Sequence, residues 1–145
     1  MGTSGTIHFP TYTIINSGIR CTVDLSPYDV RFKRAQLWLG NRVLSDTKPL
    51  MPIRSGAMQN MAHVEDGGRK VVYSGVYTRF QYYGKVMVDP VTLSPWARAG
   101  VKKIVTDRPL HYTSPSATSH WFEVAKQRYQ DHWVAGVKKI VLGAR

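Results

Sequence analysis

The sequence predicts an α+β domain in which a long N-terminal helix and a C-terminal helix pack on a small, mostly antiparallel β-sheet. Apolar residues recur at helical spacing from Tyr28 to about Ser45 and again from His120 to Leu142. Between them lie short β-branched runs, Val71-Val72, Val86 to Val88 and Val101 to Val105, each bounded by glycine or proline. A chain of 145 residues suits one domain and needs no metal or disulfide to bury a core. We read residues 1–25 as an arm or strand and residues 26–145 as the domain, with an exposed loop region at about 89–118.

In the arm, Ile7 to Phe9 and Tyr12 to Ile15 are each candidates for a strand; an arm ordered on a neighbour and a disordered end weigh equally here. Ser26-Pro27-Tyr28-Asp29 combines a capping hydroxyl, a proline at the first helical position and an early carboxylate, which marks a helix start. Tyr28, Phe32, Ala35, Leu39 and Val43 form one stripe, and Val30, Leu37 and Leu44 a second. With Trp38, so wide an apolar face suits either a central helix of one thick domain or burial on another subunit as well. Pro49 and Pro52 end the helix, and Ile53 to Met58 follow as an irregular loop with Arg54 and Gly56 at its tip.

The segment Ala62 to Tyr73 has the form of a hairpin, turned by Asp66-Gly67-Gly68, residues that tolerate positive φ. Tyr77 to Lys85 then sets four aromatics beside two cations, and Asp89 to Gly100 reads as an exposed loop. Trp96 within it is either a core plug or an anchor for a neighbour. In the last helix Trp121, Ala125, Tyr129, Trp133, Val137 and Ile140 make one face, with Glu123 in the first turn and Lys138-Lys139 in the last to suit the macrodipole. Gly143 closes it.

Chemistry is conspicuous by the patterns it lacks. The five histidines have no metal-ligand spacing, the single Cys21 has no partner for an internal disulfide, and no nucleophile elbow or phosphate-binding glycine loop occurs. These readings predict a protein that is not an enzyme and uses no cofactor. No apolar run approaches the roughly 20 residues a membrane span requires, which predicts a soluble protein with no membrane partner. Met1 to Thr6 fits the loose pattern for N-myristoylation. The net charge of +11, from 20 cations and 9 acids, calls for an anionic partner. Its densest clusters are Arg31 to Arg34, Lys102-Lys103 and Lys138-Lys139, so the charge serves either non-specific contact with DNA or acidic protein neighbours in an assembly.

Three stretches, RAQLWLGNRVLSDTKPLMPIRSGAM (34–58), HVEDGGRKVVYSGVYTRFQYYGKVMV (63–88) and TDRPLHYTSPSATSHWFEVAKQRYQDHWV (106–134), carry a further signal. In this order the chain resembles the small minor capsid proteins of tailed bacteriophages. The resemblance covers most of the chain, leaves the first two dozen residues unmatched and is weakest over 89–105. It implies a virion structural protein at the neck, a head-tail connector or tail-completion component assembled in the bacterial host cytoplasm. The expected assembly is a homo-oligomeric ring of six or twelve copies. A head-closure or connector protein would lie on its head side and a tail-terminator or tail-tube protein on its tail side.

Such an interface needs buried aromatics and cations, which nominates Trp38, Arg54, Tyr77, Arg79, Tyr82, Tyr83, Lys85 and Trp96 as contact residues. The alternatives are a sequence-independent nucleic-acid module, stacking bases on Tyr77, Phe80, Tyr82 and Tyr83 beside Arg79 and Lys85, or a ring at the tail end.

Overall fold

The computed structural model describes residues 8–16, 18–75 and 77–143; the myristoylation pattern and Ile7 lie outside the described residues. The chain begins with strands β1 (Thr11–Asn16) and β2 (Ile19–Asp24), then the 22-residue helix α1 (Ser26–Thr47) and a short helix α2 (Ala57–Met61). Strands β3 (Ala62–Glu65) and β4 (Lys70–Tyr73) follow, then helix α3 (Thr78–Tyr83), strands β5 (Lys85–Val88) and β6 (Ile104–Pro109), and helix α4 (Trp121–Leu142).

Helix α1 starts where proline was expected to start it, but Ser26 is its first residue and not the cap. The Asp24 carboxylate accepts the Ser26 N–H at 2.9 Å. Asp29, in the first turn, accepts the Phe9 N–H at 2.7 Å and pairs with His8 at 3.0 Å, tying the segment before β1 to the helix. At the other end Thr47, fully buried, returns its hydroxyl to the Val43 carbonyl and meets the Tyr73 hydroxyl at 2.7 Å. Pro49 then passes the chain into a 3₁₀ turn, Lys48–Leu50.

Helices α1 and α4 run antiparallel, as three contacts establish: Arg31 to the Val141 carbonyl, Trp38 against Gly136, and Trp133 Nε1 to Asp46 at 2.7 Å. The seam is close because Gly136 has no side chain; a Cβ there would enter the Trp38 ring. The core is built from Val43, Leu50, Met51, Ala62, Trp121, Ala125 and Trp133. Trp121 is fully buried, edge-on to Tyr82 at 4.7 Å and Tyr73 at 5.8 Å.

The strands differ from the single sheet expected: among the described residues they form three separate antiparallel ladders, β1-β2, β3-β4 and β5-β6. Helix α3 intervenes between β4 and β5 in place of a turn that would have joined the second and third ladders. The hairpin turn lies where the glycines placed it, with Asp66, Gly67 and Gly68 all at positive φ, and Gly68 pressed onto the backbone of Gln36 and Leu37 in α1. Strand β6 begins three residues later than expected. Val101 is spent in a turn onto the Arg98 carbonyl, and the register instead sets Met87 opposite Val105 and Val88 opposite Ile104.

Candidate functional site

Helix α3 holds the nominated aromatic block. Its first turn is fixed by the buried Thr78, whose hydroxyl donates to the Ser74 carbonyl at 3.0 Å, and Gly84 closes it in the left-handed conformation at φ +65°. The last carbonyls of so short a helix have no partner within it, and they are satisfied from elsewhere in the chain. The Tyr112 hydroxyl donates to the Gln81 carbonyl at 2.5 Å, the His120 N–H to the Tyr82 carbonyl at 2.8 Å, and the Leu110 N–H to the Gly84 carbonyl at 2.8 Å. Helix α3 is therefore fastened to the entry of α4 and to the segment after β6.

This fastening encloses a cleft of about 590 Å³, lined by Arg79, Phe80, Tyr83, Lys85, Lys102, Lys103, Val105 and His120. Its lining mixes the apolar Phe80 and Val105 and the Tyr83 ring with four cations; no Asp or Glu lines it. Lys103 Nζ donates to the Pro95 carbonyl at 2.7 Å and lies 6.0 Å from the Tyr77 ring centre, and Lys85 Nζ reaches the Asp107 carbonyl at 3.4 Å. A second cleft of about 530 Å³, between α1 and the β3-β4 hairpin, lacks this concentration of charge.

Of the nominated residues, Arg79, Tyr83 and Lys85 meet in the cleft, and Tyr77 joins them through Lys103. Tyr82 stands behind it: its hydroxyl donates to the Glu123 carboxylate and its ring packs on Trp121, so it holds α3 to α4. Burial, and then the donated bond to Glu123, push the Tyr82 phenol well above its ordinary value. Trp38 occupies the seam between α1 and α4, so its ring is spent within the chain, whereas Val30 and Leu37 of the second stripe are exposed. Arg54 and Trp96 lie outside the lining. Trp96 is 83% exposed on a loop anchored at Asp89, whose buried carboxylate accepts the Val91 and Thr92 N–H groups at 2.8 and 3.1 Å. These bonds, Thr92's first, hold the Asp89 carboxyl below the usual carboxylate range.

Lys102, Lys103 and His120 were not nominated from sequence. The doublet Lys102-Lys103 was visible there as a charge cluster, but its approach to Arg79 is a product of the β5-β6 register.

A family model described as minor capsid protein matches residues 19–141. The chain belongs to the minor capsid protein family. As a minor capsid protein it is a structural component of a bacteriophage virion, and the match covers α1, α4 up to Val141, the β3-β4 and β5-β6 ladders and every residue of the cleft, and takes in β2 but not β1. No curated protein and no solved structure shows significant similarity to it. No helix among the described residues is long and apolar enough to cross a membrane.

Proposed function

We propose that this minor capsid protein acts at the neck as a ring-forming head-tail connector or tail-completion component, by binding and not by catalysis. The observation that carries the reading is the β1-β2 hairpin. Every residue of β2, and Thr11 to Ile15 of β1, is exposed, with Tyr12, Ile14, Ile15, Ile19 and Val23 among them. An isolated two-stranded hairpin is marginal in water, and apolar residues bare on both its faces suit an arm that orders against a neighbouring subunit. Val30 and Leu37 on α1, and Val91, Leu93 and Trp96 on the loop, add exposed apolar surface of the kind a ring of six or twelve copies would bury. The head-closure or connector protein on one side and the tail-terminator or tail-tube protein on the other are the neighbours this reading assigns.

Electron microscopy of lysates from a phage whose copy of the gene is stopped at the Trp38 codon tests it. The expected result is DNA-filled heads beside free, finished tails. Leaking or empty heads would move the protein to head closure, filled heads with defective tails would move it to the tail end, and normal infectious particles would sink the neck reading.

A further inference from the structure

We propose that the cleft between α3 and the β5-β6 ladder takes an extended, acidic segment of a neighbouring virion protein. Its carboxylates would lie on Arg79, Lys85, Lys102 and Lys103, and an apolar side chain would lie on Phe80 and Val105. The inference rests on the assembly reading above, and names the chemistry of one partner.

Charge comes first. Four cations converge on one concavity with no acid in its lining, and none of the four forms an ion pair among the described residues. The Lys85 and Lys103 ammonium groups each donate to one neutral carbonyl, and an ammonium has three donors, so each keeps N–H groups for an anion. Like charges that line one concavity repel, and an anionic occupant relieves the repulsion.

Shape and composition choose the occupant. A cleft of about 590 Å³ is in the range that encloses a compact ligand or a short stretch of extended chain. Phe80 and Val105 in the lining offer no hydrogen-bond donor to a phosphate and suit an apolar side chain set between carboxylates. A second copy of this chain is a poor match. This chain has one adjacent acidic pair, Glu65-Asp66, in a short turn with no apolar residue between the two acids, and Glu65 is already engaged by His63 at 2.8 Å. The fitting partner is a different protein with acids spaced around an apolar residue.

The test is fluorescence polarisation at about 0.15 M salt with a dye-labelled Glu-Glu-Phe-Glu-Glu-Leu peptide, its glutamine counterpart, and a short oligonucleotide in single-stranded and duplex form. The full chain is compared with an Arg79→Gln/Lys102→Gln variant and with Lys138→Gln/Lys139→Gln, which removes the same charge from the exposed end of α4. Expected are binding of the acidic peptide over its glutamine counterpart and a loss of about tenfold or more in the cleft variant. The α4 variant should keep its affinity, and Arg79→Lys/Lys102→Arg should recover much of the loss. Equal binding of the two peptides, equal loss in both glutamine variants, or a loss in the cleft variant confined to the oligonucleotides would each overturn the proposal. The last would make the cleft a nucleic-acid site. None of these outcomes touches the neck reading, which the lysates decide separately.

Discussion

Gly67 and Gly68 offer a controlled experiment in what holds the β3-β4 hairpin to the long helix. Both sit at positive φ, +62° and +96°, so an alanine at either position carries a backbone cost of about 1–2 kcal/mol. They differ in their surroundings. A Cβ on Gly67 meets nothing within 4 Å, whereas one on Gly68 would run into the Gln36 carbonyl and the Leu37 Cα of α1. Main-chain atoms inside a helix have little room to yield, and forcing atoms into a packed site costs about 1–3 kcal/mol more. Gly67→Ala should therefore lose about 1–2 kcal/mol and Gly68→Ala about 2–5 kcal/mol. In a thermal melt the second loss is on the order of 10 °C for a domain of this size. Urea unfolding followed by tryptophan fluorescence measures both, since Trp38, Trp121 and Trp133 all lie in packed environments. If the two variants agree within about 0.5 kcal/mol, the margin within which independent effects add, the turn does not press on α1 and the packing argument fails.

The same seam logic applies to Gly136→Ala. It gains helix propensity of about 1 kcal/mol yet should destabilise through the Trp38 ring, and a smaller side chain at position 38 should restore part of the loss in a double-mutant cycle. Trp133→Phe removes the indole N–H that Asp46 accepts at 2.7 Å, a bond to a charged group worth about 1.5–3 kcal/mol, readable in urea unfolding. Asp89 gives a pH prediction. Its carboxyl is held below the ordinary 3.8, so the unfolded chain binds this proton more readily than the folded one. The stability it supports is present above about pH 4 and is lost as the pH falls through the lower folded value. In acid titrations Asp89→Asn should be less stable than the parent at neutral pH and less sensitive to acid; equal acid sensitivity would count against the loop anchor. The exposed Cys21 should react fully with a thiol reagent in the folded protein, and protection until unfolding would contradict the exposed hairpin.

The residues alone determined the two long helices, their ends near Pro27, Pro49 and Gly143, and the turn at Asp66-Gly67-Gly68. Each depends on signals within a few positions: apolar spacing, a proline that fixes φ, a glycine that tolerates the left-handed region. They also carried the α+β class and the family. Tertiary structure alone decided that the strands form three ladders and that β6 begins at Ile104. It also turned the wide face of α1 partly inward, with Trp38 on Gly136, and partly outward, with Val30 and Leu37 exposed. The candidate site divides the same way. The aromatic block and Lys102-Lys103 were legible as composition, but the cleft exists because Tyr112, Leu110 and His120 donate to the end of α3 and draw distant segments together. Periodicity reports which face of an element is apolar; what covers that face is settled by complementary shape and unsatisfied backbone groups elsewhere in the chain, and neither is written in local sequence.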